Sequence, residues 1–232
     1  TVDLGNESSG VFINSASNKA IGGTTVGARN VISGNNSDGI TIFLNGQTGN
    51  LVLGNLIGTD VTGTAALGNR VNGVSILDDA SNNTVGGTDA GEANVIAYNG
   101  TGVVVLLTTA AGNSIRGNSI HSNGGLGIDL GNDGVTPNDE GDADIGANNL
   151  QNFPVVTGAH AGTTTRVVGT LNSQANATFR LEFFANAAAD PSGYGEGQRY
   201  LGSAVVSTDA GGNVSFDVTL SGASSLGEIV TA

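Results

Sequence analysis

One stretch of this chain is written twice. SSGVFINSASNKAIGGTTVGARNVISGNNSDGITI, residues 8–42, returns as NGVSILDDASNNTVGGTDAGEANVIAYNGTGVVVL, residues 72–106. Gly10 and Gly73 stand 63 residues apart, as do Gly39 and Gly102, while Asn30 and Asn94 stand 64 apart. A period held to within one residue is the signature of stacked repeats, in which each unit covers the apolar face of the next and insertions fall in loops. TVDLGN at Thr1–Asn6 aligns with TAALGN at Thr64–Asn69, so the chain is expected to begin partway through a repeat.

Shorter patterns nest inside the period. GVxI or GIxI occurs at Gly10–Ile13, Gly39–Ile42 and Gly73–Ile76, and NVI at Asn30–Ile32 and Asn94–Ile96. GNLVLGNLI spans Gly49–Ile57, and GNSIRGNSI spans Gly112–Ile120. Alternate residues of a strand face opposite ways, so Val11 with Ile13, Ile40 with Ile42 and Val74 with Ile76 should point inward. Phe12, Thr41, Ser75 and Val104 should then point outward, a mixed set without the flat Thr array of an ice-binding face. Strands of about three to five residues cannot bury a face alone and must stack on copies of themselves at roughly 4.8 Å. That stacking makes a parallel β-solenoid. In the GN pairs, Gly supplies positive φ at corners and the Asn amide can bond the next Asn along. A leucine-rich repeat needs helix-length segments between strands, and none is evident.

Composition agrees: 39 Gly, 3 Pro and 12% charged residues suit short strands and tight turns, and a mean hydropathy of +0.06 argues for a buried core rather than disorder. A net charge of −13 repels a phosphate backbone, so nucleic acid is excluded as a partner. No run approaches the roughly 18 apolar residues of a membrane span. The absence of Cys excludes a disulfide framework. There is no initiator Met or signal peptide, so a processed chain or a fragment is expected.

IGGT at Ile21–Thr24 with VGGT at Val85–Thr88, NVISGN at Asn30–Asn35, GNLIGTDVTGTAALGN at Gly54–Asn69 and GLGIDLG at Gly125–Gly131 carry a resemblance. They resemble the right-handed parallel β-helix repeats of large secreted or surface-anchored bacterial proteins. The resemblance covers just over half the chain and implies an extracellular or cell-surface location. It speaks to architecture and says little of activity, because such scaffolds carry lyases, hydrolases, adhesins and passive stalks.

The expected fold is thus all-β: a right-handed parallel β-helix over residues 1–132, an acidic linker over 133–149, and an immunoglobulin-like antiparallel β-sandwich over 150–232. Strands are expected at Phe153–Thr157, Thr165–Leu171, Thr178–Ala185, Arg199–Ser207, Asn213–Leu220 and Gly227–Ala232. Beside the proteins it resembles, the sandwich lacks its last strand, and exposed strand edges of that kind invite pairing with another chain.

The linker carries the sharpest chemical signal. Asp133, Asn138, Asp139, Asp142 and Asp144 offer hard oxygen donors between Gly134, Gly141 and Gly146, the material of a calcium loop. The spacing and terminal Glu of an EF-hand loop are missing. Asp60, Asp78 and Asp79 are candidates for paired glycosidase carboxylates, but no basic residue stands beside them and the GHG and RIK motifs of pectinolytic hydrolases are absent. His121 and His160 lack a His or Cys partner at metal spacing. Arg116 is an outward solubilising residue, and Tyr194 and Tyr200 bracket a loop able to touch sugar or protein. The N-x-S/T sequons at Asn6, Asn35, Asn82, Asn99, Asn176 and Asn213 arise readily by chance in a chain this rich in Asn, Ser and Thr. The expected function is non-enzymatic: a spacer, adhesive or fibre module partnered by its own copies, by flanking segments of a longer chain, or by cell-surface glycans. A polysaccharide lyase or hydrolase is the alternative.

Overall fold

A computed structural model describes residues 5–43, 48–107 and 109–232, and the chain is all-β with two compact units. The first four residues of the Thr1–Asn6 match lie outside the described residues. Four coils of three strands each follow one another: β1 (Val11–Asn14), β2 (Ala20–Gly22) and β3 (Val31–Ile32); β4 (Ile40–Phe43), β5 (Leu51–Leu53) and β6 (Leu56–Ile57); β7 (Asn72–Ile76), β8 (Thr84–Gly86) and β9 (Val95–Ala97); β10 (Thr101–Val105), β11 (Ser114–Arg116) and β12 (Ser119–His121). β13 (Ile128–Leu130) opens a fifth. The strands form three parallel sheets, β1-β4-β7-β10-β13, β2-β5-β8-β11 and β3-β6-β9-β12. The 63-residue sequence period therefore covers two coils.

Parallel register stacks like on like. Val11, Ile40, Val74, Val103 and Ile128 form one column, and Ile32, Ile57, Ile96 and Ile120 another. Apart from the exposed Ile128 that ends the first, these inward columns belong to one continuous apolar core. On the opposite side of the first sheet, Phe12 is exposed while Thr41, Ser75 and Val104 are buried. The Thr41 hydroxyl donates to Asp38 at 2.8 Å and lies 2.8 Å from Ser9 Oγ, and Asn72 Nδ2 donates to Ser75 Oγ at 3.0 Å. The expected outward column is thus partly a satisfied polar seam.

Three asparagine ladders run up the corners: Asn6, Asn35, Asn69, Asn99, Asn123; Asn30, Asn55, Asn94, Asn118; and Asn50, Asn83, Asn113. Asn69 shows the logic. Its Oδ1 accepts the backbone N–H and the Nδ2 of Asn35 at 3.2 and 2.7 Å; its Nδ2 donates forward to Asn99 Oδ1 at 2.8 Å and back to Ile32 O at 3.0 Å. A primary amide has two N–H donors and a two-lone-pair acceptor, and here all four are used on a residue almost wholly buried.

Glycine serves two purposes. Gly54, in a GN pair, has φ of +66°, as expected for a corner. Gly10, Gly39, Gly73 and Gly102 are different, because their need is for space: a Cβ on Gly39 would stand 2.7 Å from Gly73 O, 2.8 Å from the Ile57 side chain and 2.9 Å from Asn69 Nδ2. Long loops also alternate with tight turns. Coils one and three send out the loops 23–30 and 87–94, while coils two and four turn at Gly54-Asn55 and Gly117-Asn118. Gly54 N donates to Glu92 O, and a Cβ on Gly54 would meet Gly23 O at 2.3 Å and Gly91 O at 2.6 Å. Two loops on adjacent coils would compete for one strand spacing, so they close over the tight turn between them.

The first unit runs to Val135 and regains Gly146–Asn149. Ala147 is buried in the solenoid core near Ala80 and Ala110, and Asn148 extends the third ladder: Asn113 N donates to Asn148 Oδ1 at 2.9 Å, and Asn148 Nδ2 donates to Asn113 O at 2.8 Å. Asn148, Asn149 and Leu150 all have positive φ, so a segment outside the repeat pattern supplies a rung through local backbone geometry.

The second unit holds Thr136–Ile145 and the chain from Leu150. Its strands are β14 (Val155–His160), β15 (Thr165–Asn172), β16 (Thr178–Asn186), β17 (Arg199–Ser207), β18 (Asn213–Leu220) and β19 (Ile229–Thr231), in antiparallel sheets β14-β15-β18 and β17-β16-β19. Val167, Leu171, Phe183, Leu201 and Phe216 from both sheets share one core, with Phe183 and Phe216 edge to face at 5.7 Å. The first strand begins two residues later than expected, at Val155: Pro154 has no N–H to give, and the backbone of Phe153 is bonded to the Asn138 side chain.

Removing an inner rung breaks bonds on both sides. Asn94→Ala is expected to lower the unfolding free energy by roughly 3 kcal/mol, and Asn30→Ala, at the start of the same ladder with its side-chain amide on Asn55, by about 1 kcal/mol. Urea unfolding followed by circular dichroism measures both.

Candidate metal centre

Asp139, Asp142 and Asp144 come together in the second unit, each offering a carboxylate oxygen within 4.8 Å of the others. Local bonds build the loop. Both oxygens of Asp139 accept Ala143 N, at 3.2 and 3.0 Å, and its Oδ2 also accepts Asp144 N at 3.1 Å, so the acid caps its own turn. Asp142, nearly buried and at φ +58°, accepts Asn152 N at 2.8 Å and Ser173 Oγ at 2.8 Å. Asn152 Nδ2 donates to Asp139 O at 2.7 Å and to Asn172 O at 2.9 Å; Asn172 Oδ1 accepts Gly141 N at 2.7 Å.

Asp144 stands apart. Its Oδ1 is shut off from water and has no hydrogen-bond partner. Burial, reinforced by repulsion from Asp139 and Asp142, raises its pKa above the ordinary aspartate value. An orphaned carboxylate oxygen facing two further carboxylates suits a hard cation taking oxygen ligands, as calcium does, so the donor set fits the ion.

The other expected ligands go elsewhere. Asn138 spends its amide on Phe153, donating to its O at 2.8 Å and accepting its N–H at 2.9 Å. Asp133 belongs to the first unit, where a Cβ on Gly131 would lie 3.0 Å from its Oδ1. Its neighbour Asp129 is buried, with Oδ1 unpartnered and Oδ2 accepting Gly134 N at 3.2 Å; burial raises its pKa while the N–H groups of Gly134, Asp133 and Asn132 oppose the shift. Asn152, Asn172 and Ser173, which hold the acidic loop, were invisible as functional residues because their partners lie 10 to 31 positions away.

The carboxylates considered for glycoside chemistry do not converge. Asp60 follows β6, and its Oδ1 accepts the Thr62 hydroxyl at 2.6 Å and three backbone N–H groups; the hydroxyl first, then Ala65 N–H, lowers its pKa. Asp78 and Asp79 follow β7 at a different corner, in left-handed turns. His121 ends β12 beside Tyr98, and His160 ends β14 opposite Arg166. Arg116 is exposed and its Nε donates to Ser114 Oγ at 2.8 Å. Tyr194 meets Phe153 edge to face, and the Tyr200 hydroxyl accepts Arg180 Nη2 at 3.1 Å. Among the sequons, Asn35 and Asn99 are buried ladder rungs closed to modification. Among the described residues no helix is long and apolar enough to cross a membrane.

No model of a known protein family matches the chain, and no curated protein matches it in sequence.

A raised aspartate pKa means that the folded state holds the proton more tightly than the unfolded chain does. The carboxylate of Asp144 therefore costs no stability below about pH 4 and a growing amount as pH rises through its raised value. In chelator, Asp144→Asn is expected to match the wild type at low pH and to exceed its stability at neutral pH, as read from paired denaturant titrations.

Proposed function

We propose that the chain is a structural module of an extracellular or cell-surface bacterial protein, a stacked β-helix joined to an immunoglobulin-like domain and serving spacing, adhesion or fibre assembly. The observation that carries this reading is the use of side chains in the solenoid. Its buried asparagines are consumed rung on rung in the ladders, which stiffens a stack, and among the described residues Asp60 and Asp78 are not brought to one corner. Among the described residues β1, β2 and β3 each end their sheet, and such edges take strands from flanking segments of a longer chain or from other copies. The strand order β14-β15-β18 against β17-β16-β19 supports the immunoglobulin-like reading, and the three-residue β19, paired with only part of β16, is the place for strand donation.

Calcium belongs to this reading. Asp139, Asp142 and Asp144 would hold the ion and Asn152, Asn172 and Ser173 would hold the loop; an ion relieves carboxylate repulsion that otherwise works against order. The enzymatic alternative would require paired groups within reach of one substrate, and Asp60 and Asp78 sit at different corners.

Calcium at about a hundred times its dissociation constant stabilises a folded state by about 2.7 kcal/mol, so thermal melts are expected to shift upward by several degrees on adding calcium and to return with chelator. An unchanged midpoint removes the ion from the reading. Electron microscopy of the native material is expected to show rods or filaments; isolated globular particles would remove the assembly.

A further inference from the structure

The free side of β17 has a feature that neither the ladders nor the acidic loop uses. β17 is the outer strand of its sheet, with β16 on one side. Its first part is closed, because Gly222 N donates to Leu201 O at 2.9 Å and Arg199 Nη1 to Ala223 O at 2.7 Å. Beyond the register shift that marks the bulge, Ser203–Ser207 pairs with β16 alone among the described residues. That segment, SAVVS, has no charge and no proline, and Val205 on its outer face is 69% exposed. Charge, proline, bulges and covering loops are how proteins blunt an edge, and this one lacks all four over five residues.

The segment is also nearly symmetric about Val205, with a serine at each end and small or β-branched apolar residues between. In an antiparallel pairing centred on Val205, Val205 opposes Val205, Ser203 opposes Ser207 and the small Ala204 opposes Val206, which sets β-branched against β-branched at the axis, hydroxyl against hydroxyl at the ends, and no charge against charge. Such pairing has a twofold axis and closes with two chains. A chain of net charge −13 is repelled by its own copy overall, and an uncharged edge adds nothing to that repulsion at the contact. The other edges of the unit are less suited: β18 carries Asp217 at its centre, β14 is broken by a register shift between Val156 and Gly158, and β19 has three residues with Glu228 beside it.

We infer that two copies of this chain associate side by side through Ser203–Ser207, joining their β17-β16-β19 sheets into one six-stranded sheet. The contact goes beyond the proposed head-to-tail assembly and depends on neither calcium nor the solenoid ends.

Sedimentation equilibrium of the full chain, over a roughly thousandfold concentration range and in both chelator and calcium, tests it. Wild type is expected to pass from monomer to dimer under both conditions. Val205→Lys sets two like charges opposite each other at the axis and is expected to weaken the dimer by about tenfold or more. Because Val205 stands opposite Arg180 on β16, a second variant, Val205→Glu, sets like charges at the axis without repelling that neighbour and should weaken the dimer to a similar extent. Leu226→Lys, at a residue 97% exposed and outside the strands, should leave association unchanged. A wild type that stays monomeric throughout overturns the inference, as does a dimer indifferent to Val205→Lys or one abolished by Thr219→Lys on β18. Hydrogen exchange gives a second reading: protection of the amides of residues 203–207 should rise with concentration, and protection unchanged by concentration counts against the contact.

Discussion

The side-chain amide of asparagine, repeated at one strand spacing, is the constraint from which the solenoid follows. A corner that turns the chain between sheets leaves backbone N–H and C=O groups with no ladder partner, and burying them unpaired costs more than a typical hydrogen bond returns. Asn94 answers this by accepting from Asn55 at its backbone N and Nδ2, donating forward to Asn118 and donating back to Val52 O. Aspartate in its place would lose both donors, and glutamine would add a methylene where the column has no room. The Gly39 column is the steric counterpart of the ladder: the first Asn column and the Ile57 column approach so closely that only hydrogen fits between them.

Stacking at one spacing also governs what the loops can do. At the corner between the second and third sheets, the loops 23–30 and 87–94 fall on alternate coils, and the intervening coil turns on a glycine over which the two loops meet. This alternation makes the sequence repeat two coils long, although each coil alone completes the three-sided turn. At the far end, Gly146–Asn149 breaks the repeat pattern yet extends the third ladder, because one amide at the right height serves a ladder whatever chain segment brings it.

The second unit works under a different balance. Its core is an ordinary packing of two sheets, but its acidic loop sets three carboxylates against one another and leaves one oxygen of Asp144 without solvent or partner. Hydrogen bonds from Asn152 and Ser173 hold Asp142 in place, and the turn inside the loop is held by Asp139. The loop is thus ordered by neutral donors around a site whose own charges repel, the arrangement expected where a cation completes the structure.

The parallel stack was legible in the chain because each inward residue contacts its own counterpart one coil away, so spatial neighbours repeat in sequence. GVxI, NVI and GNxVxGN encode the columns and two of the ladders directly, and alternation places Arg199–Ser207 and Asn213–Leu220 without error. What repeats cannot encode had to await the fold. The Asn148 rung, the crowding that demands Gly39, the burial of Thr41 and Ser75 and the separation of Asp133 from Asp139 all depend on segments that meet in space without a shared period. The local spacing of the acidic loop brought Asp139, Asp142 and Asp144 into view, but only tertiary contacts through Asn152, Asn172 and Ser173 decided their orientation, because hydrogen-bond direction is set by partners distant in the chain.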